Sequence, residues 1–419
     1  MLRAAAAAAL LLWSCSSAQD GTQVVEFWGL GREGEVVSEL VPAFERENPG
    51  IRIDVQQMPW TAAHEKILTS FVGEATPDIA QLGNTWIPEF VALGALERLD
   101  SLIARSSVVS PDAYFPGIWQ TNLVEDGAYG IPWYVDTRVL FYRTDLLAAV
   151  GYAEPPRTWG EWLQAMERLR EHMGEGRWPI LLPTNEWPQP VILGLQNGSR
   201  LLDDEGGRGA FREPAFRDAF ELYVELFRRG YAPALANTQL ANLYQQFARG
   251  EFAMVITGPW NIGEFRRRLP VDVAWTTAPL PGPEGPGVSL AGGSSLVIFA
   301  DSEAKSAAWR FIEYLSRPEM QLRFYDLTGD LPARVEAWEA PSLAGDPEVR
   351  AFHEQLERAV PLPRVPEWER IATKIYEYGE AAVRGRLTVD QALAGLDHDV
   401  DQILAKRRWM LARRDEPAR

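Results

Sequence analysis

Residues 24–55 read VVEFWGLGREGEVVSELVPAFERENPGIRIDV, and how this stretch folds decides the rest. Val24, Val25, Phe27 and Trp28 form a β-branched and aromatic run, which predicts a strand over 24–28. Val36, Val37, Leu40 and Phe44 then recur at helical spacing and predict a helix over 35–47. Pro42 inside it demands a kink or a later start, because proline lacks the N–H that closes a helical turn. The Asn48-Pro-Gly50 turn hands the chain to a second strand over 51–55. Strand, helix, strand in this order is a βαβ unit, the building block of a parallel sheet.

Between the first strand and the helix, Gly29-Leu-Gly31-Arg-Glu-Gly34 matches the dinucleotide-binding fingerprint, with Asp54 at the expected distance. Three features oppose a nucleotide. Bulky Trp28 precedes the first glycine, Asp54 falls inside its strand, and the N-terminus directs the chain away from the cytoplasmic cofactor pool. The remaining reading is a flexible turn whose helix N-terminus faces a ligand, with no cofactor.

The alternation continues. Strands are predicted over 78–82 and 135–142, with a tight turn at Asp126-Gly127 between them. Thr158-Trp-Gly-Glu161 is a capping box opening a helix to 169, and a strand follows over 178–182. Helices over 214–229 and 238–249, stopped by Gly230 and Gly250, feed a strand over 252–257. The Pro- and Gly-rich segment 279–287 reads as a surface loop. Beyond it come a strand over 295–300, a helix capped by Asp301, one with Pro318 in its first turn, and a last helix capped by Thr388-Val-Asp-Gln391. No fixed-period repeat is present.

A chain of 419 residues, 46% apolar, exceeds what one hydrophobic core usually serves, so two lobes are expected. Its net charge of −17 opposes binding to nucleic acid and to anionic membranes, and the mature chain lacks a membrane-spanning apolar run. Arg3, an apolar segment over 4–12 and then Leu12-Trp-Ser-Cys15 resemble a bacterial lipoprotein signal, cut so that Cys15 carries the lipid. A plain secretory signal with an incidental cysteine is the alternative. Cys15 is the only cysteine, so the mature chain has no internal disulfide.

Catalytic constellations are thin. His64, His172, His353 and His398 are scattered without metal-ligand spacing, and no phosphate loop or serine-nucleophile elbow occurs. The acidic run 397–401 reads as a solvated helix face. Tryptophan is informative instead. Of 16, Trp28, Trp60, Trp86, Trp133, Trp187 and Trp260 lie in or just beyond predicted strand ends, where open α/β sheets bind ligands. An indole there can stack on the C–H face of a pyranose while amide and carboxylate groups bond the hydroxyls. Singly, each is more often a core or rim aromatic than a ligand contact, and six in one class of position shift that balance.

The collinear order of Trp28-Gly with Arg32-Glu33, Asn48-Pro-Gly-Ile51, Pro77-Asp78, Tyr129-Gly-Ile-Pro132, Asp136-Thr137, Thr158-Trp159, Gly258-Pro-Trp260, Gly292-Gly293 and Gly329-Asp-Leu-Pro332 resembles the family 1 extracellular solute-binding proteins, the sugar receptors of ABC importers. The resemblance runs over about residues 22–405. It implies an α/β periplasmic-binding-protein fold of two lobes joined by several hinge crossings, with a sugar or oligosaccharide held in the cleft and no chemistry performed. The N-terminal lobe would be 21–134 and 292–329, and the C-terminal lobe 138–286 and 334–405. Crossings would fall near 135–137, 287–292 and 331–334, after a signal at 1–14 and a lipidated tether at 15–20, with a tail at 406–419. Implied partners are the permease subunits. The membrane is met only through the lipid, nucleic acid not at all, and the chain is a monomer outside the cytoplasm.

Carried over residue by residue, Trp260 inherits a sugar-stacking platform, Asp136 a hydroxyl-binding carboxylate, and Trp187 an aromatic on the opposite edge. His64 and Glu65 fall near polar contacts after the second strand, Thr85 and Trp86 near contacts after the third, and Arg32 beside the first turn. Gly292 and Gly293 suit close backbone approach to a ligand, and Trp368 a late platform. Trp86 stands where maltose receptors of the family carry a polar residue, which argues against maltose. Other roles stay open: Asp136 could pair with Arg138 or Arg143, Gly292-Gly293 could serve as a hinge, and Arg334 could clamp a hydroxyl or pair across a crossing. An exported glycoside hydrolase using a carboxylate pair, or a purely structural envelope lipoprotein, are the competing functions.

Overall fold

The computed structural model describes residues 22–203 and 206–414; Cys15, the signal and the tether lie outside the described residues, as does the end of the proposed tail. In chain order the strands are β1 (Gln23–Leu30), β2 (Ile51–Met58), β3 (Ile79–Gly83), β4 (Leu123–Val124), β5 (Gly127–Ala128), β6 (Ile131–Asp136), β7 (Val139–Arg143), β8 (Trp178–Leu181), β9 (Phe252–Thr257), β10 (Trp275–Ala278), β11 (Ser289–Leu290), β12 (Gly292–Ile298), β13 (Leu331–Pro332) and β14 (Ala359–Val360). They build two main sheets, one ordered β13-β6-β12-β3-β1-β2 and one ordered β10-β7-β9-β8.

The opening βαβ unit seeds the first sheet. β1 runs parallel to β2 with Val25 opposite Ile53 and Phe27 opposite Val55, and parallel to β3. Val25, Phe27, Trp28 and Leu30 are all buried, as a strand covered on both faces requires. The connecting helix is two pieces, Gly31–Val36 and Val41–Glu47, joined by the 3-10 turn Val37–Glu39. Pro42 occupies the first turn of the second piece, where its missing N–H is not needed. In the second sheet β9 lies between β7 and β8, and all six of its residues are buried.

The chain passes from one sheet to the other at Thr137-Arg138, between β6 and β7, and returns before β12, which pairs antiparallel with both β3 and β6. After β13 closes the first sheet, the helix Pro347–Leu356 packs on β10 of the second.

Several expected details differ. The helix after 301 begins only at Lys305, and Asp301 instead accepts a hydrogen bond from the Thr76 hydroxyl. The helix placed over 238–249 is shorter, Leu243–Ala248, because Asn242 caps it by accepting from the Gln245 amide. The acidic run is not a free solvated face: Asp397 accepts from the amides of Phe211 and Arg212, and Asp401 from Gly209, tethering that loop. Within the tail, Ala405–Arg414 is helical, and Arg408 donates to the Gly207 carbonyl.

Candidate functional site

A cleft of about 560 Å³ opens beyond the carboxyl ends of β1, β3 and β6 on one side and of β9 on the other. That location follows from the topology, because loops leaving neighbouring strands at one edge of an α/β sheet diverge and leave a crevice. The loop after β3 supplies Thr85 and Trp86, the end of β6 supplies Asp136, and the start of β12 supplies Gly292 and Gly293. Across the cleft stand Trp187, after β8, and Trp260, after β9.

The tryptophans divide by burial. Trp133 is 1% exposed and stacks on Phe324 at 4.4 Å, and Trp28 is buried under Lys66; both belong to the core. Trp60 and Trp86 meet edge to face at 5.7 Å on the first wall. Trp260 is 45% exposed, a large cost for an indole unless something covers it. Its ring folds back over Gly258, where any Cβ would collide with it, so the glycine is what lets the indole stand at the rim. The Arg138 guanidinium lies over the ring at 4.6 Å and reaches Asp136 Oδ1 at 2.5 Å. Asp136 thus both lines the cleft and makes an ion pair with Arg138.

Gly293 is required by geometry. Its φ is 125°, and a side chain would run into the Tyr134 carbonyl on β6. This close approach brings the β12 backbone to the cleft floor.

Carboxylates dominate the electrostatics. Glu33, Asp136, Asp330 and Glu369 line the cleft, and Arg138 is the cation among its described lining residues. Burial pushes Glu33 above the ordinary range, although the Tyr134 hydroxyl donates to it at 3.1 Å and the Trp60 indole N–H at 3.4 Å. Burial, reinforced by the charge of Glu33, pushes Asp330 up to about 7. Asp136 is raised by burial despite Arg138. In the ionised form such carboxylates accept hydrogen bonds from neutral donors and repel anions, whereas burial favours the neutral form, which can also donate.

The other expected positions lie off the lining. His64 bonds Glu89 at 2.7 Å, which raises its pKa, and its ring abuts the back of Trp86 at 5.0 Å. Glu65 is exposed on the same helix, and Arg32 is exposed with a bond to the Leu327 carbonyl. Arg334 is buried, and its guanidinium donates to the carbonyls of Val108 and Ser316. Trp368 is 1% exposed and backs Trp187 at 5.7 Å. Sequence reasoning passed over Glu33, Asp330 and Glu369. The first two sit inside the motifs Arg32-Glu33 and Gly329-Asp-Leu-Pro332, where a carboxylate beside a strand-end turn was the available signal.

Two α/β sheets linked by repeated chain crossings around a polar, aromatic cleft define a two-lobed solute-binding fold. Residues 28–322 match the bacterial extracellular solute-binding protein family, and the chain belongs to it. It is similar to the structure of the sugar-binding protein MalE from Xanthomonas citri, with 49% identity, 94% of this chain and 100% of that one covered, and a TM-score of 0.91. The diacetylchitobiose-binding protein DasA of Streptomyces coelicolor is 25% identical, covering 85% of this chain and 83% of its own. An uncharacterized lipoprotein of Streptomyces antibioticus is 30% identical, covering 88% and 85%. Membership in a solute-binding family replaces the hydrolase and structural-lipoprotein readings.

Proposed function

We propose that this protein is the extracytoplasmic receptor of an ABC sugar importer, taking a neutral saccharide into the cleft between Trp60 and Trp86 on one wall and Trp187 and Trp260 on the other. The observation that carries the reading is this pairing of aromatic walls with buried carboxylates, which suits a ligand with apolar ring faces and many hydroxyls. The 49% identity to a protein described as sugar-binding supports it. The carboxylate lining speaks against phosphorylated or acidic sugars, although one relative is named as an sn-glycerol-3-phosphate-binding protein.

In this reading Trp260, Trp187 and Trp86 stack on sugar rings, Asp136 and Thr85 bond hydroxyls, and the backbone at Gly292 and Gly293 contacts the ligand. His64 supports the wall from behind, Arg32 and Glu65 face solvent, and Arg334 and Trp368 hold the lobes' interiors. We place the lobes as expected from sequence, with Arg334 moved to the first, whose main-chain carbonyls its guanidinium bonds; they close about the crossings and present the liganded form to permease subunits. A lipid on Cys15 tethers a monomer to the membrane; Cys15→Ser should then release the protein from the membrane fraction with its affinity intact, and retention of the variant there would refute the anchor.

A thermal-shift screen against neutral, amino, acidic and phosphorylated saccharides tests the function. A ligand at 100 times its dissociation constant adds about 2.7 kcal/mol of stability. Neutral saccharides should raise the melting temperature, and a response confined to phosphorylated solutes would contradict the proposal.

A further inference from the structure

The helix Ala405–Arg414 reads AKRRWMLARR and holds five basic residues and no acidic one, in a chain whose net charge is −17. With Asp415, Glu416 and Arg419 beyond it, the C-terminal segment stays net positive. The charge of the whole chain opposes an anionic surface, but it is unevenly spread. Saccharide binding gives this helix no task, because none of its residues lines the cleft.

Helical spacing divides it into two faces. Leu404 is buried, and Arg407, Arg408 and Leu411, three, four and seven residues on, turn toward the loop at Gly206 and Gly207. A Cβ on Gly207 would meet the Arg408 stem at 3.1 Å and Leu411 at 3.8 Å, and Arg408 donates to the Gly207 carbonyl at 2.9 Å while lying 3.7 Å from Asp401. The opposite face carries Lys406, Trp409, Met410 and Arg413, all exposed. Among the described tryptophans only Trp260 is as open as Trp409, and the cleft accounts for Trp260. The Arg413 guanidinium stands 3.7 Å from the centre of the Trp409 ring, and neither it nor Lys406 has an ion-pair partner among the described residues.

We infer that this outer face docks on an anionic phospholipid bilayer and so gives the protein a membrane contact of its own, separate from any lipid on Cys15. Two apolar side chains flanked by two unpaired cations suit the interfacial zone, where an indole sits at headgroup level and lysine and arginine meet the lipid phosphates. Each basic residue near such a surface strengthens binding by about fivefold. The acidic remainder of the chain is repelled by the same surface, so the helix is the part that faces it. A lipid at residue 15 would hold the chain from its N-terminal end, and the helix, packed beside Leu404 and the second sheet's core, would orient the second lobe.

The test is co-sedimentation of the mature chain from Ser16 onward, which carries no acyl group, with vesicles of phosphatidylcholine alone and of phosphatidylcholine mixed with phosphatidylglycerol. At low salt it should bind the anionic vesicles about tenfold or more tightly than the neutral ones, and lose most of that preference at about 0.5 M salt, where the Debye length is only a few Å. Lys406→Gln combined with Arg413→Gln should weaken binding to the anionic vesicles by about twentyfold, two charges at about fivefold each. Trp409→Ala, which keeps the charges, should weaken it severalfold and leave its salt dependence unchanged. Both variants should keep the melting temperature of wild type, since the altered side chains are exposed. No binding of wild type to anionic vesicles, or equal binding by the variants, would overturn the inference. So would a dimer that the double variant abolishes in a protein that ignores vesicles, which would make the face a contact between copies. None of these results bears on the saccharide cleft.

Discussion

The Arg138 guanidinium sits 4.6 Å from the centre of the Trp260 indole and 2.5 Å from Asp136 Oδ1. Arg138 belongs to the two-residue link between β6 and β7, so one side chain on a crossing touches both a candidate stacking platform and a candidate hydroxyl acceptor. The cation partly satisfies each of them, and a saccharide must replace or adjoin those contacts.

Asp136→Asn should weaken saccharide binding by roughly tenfold or more, since a hydrogen bond to a charged group is worth about 1.5 to 3 kcal/mol. Removing the carboxylate also leaves Arg138 without its partner in a partly buried place. Titration calorimetry measures the loss, and unchanged affinity would return Asp136 to a purely structural ion pair.

Asp330 makes stability depend on pH. Its pKa rises to about 7 in the fold because burial and Glu33 disfavour its charge. The folded chain therefore keeps a proton that the unfolded chain has released between the ordinary aspartate range and about 7. The resulting destabilisation is absent at low pH, grows as pH rises through that window, and is constant above it. Asp330→Asn should raise the melting temperature of the unliganded protein by a few degrees at pH 8 and change it little at pH 4, as scanning calorimetry would read. An equal shift at both pH values would mean that Asp330 is not held protonated.

Closure about the crossings should make the liganded protein more compact. Small-angle scattering with a saturating saccharide is expected to give a smaller radius of gyration than the free protein. Superimposable profiles would indicate a rigid site.

The βαβ start was readable because the change from strand to helical spacing is local to residues 24–55, and Pro42 announced its own break. The capping box Thr158-Trp-Gly-Glu161 was legible for the same reason. What escaped was set by burial from distant segments. Glu33 becomes a raised-pKa cleft carboxylate only because the fold buries it, with Tyr134 and Trp60 from distant segments donating to it. Trp368 and Trp260 look alike in sequence, yet one is 1% exposed and the other 45%, because the helix Trp368–Val383 turns its first residue against Trp187 and the core that packs on the second sheet. Arg334 likewise follows a crossing motif but is consumed by main-chain carbonyls of the first lobe.

The most direct test of the saccharide cleft is calorimetric titration of Trp260→Ala beside wild type, with each protein's melting temperature measured without ligand. Stacking that buries about 60 to 100 Å² of apolar surface is worth roughly 1.5 to 2.5 kcal/mol. The variant should therefore bind a saccharide about ten- to seventyfold more weakly, with little change in the unliganded melting temperature because the indole is half exposed. Near-normal affinity combined with a large loss of unliganded stability would contradict the account.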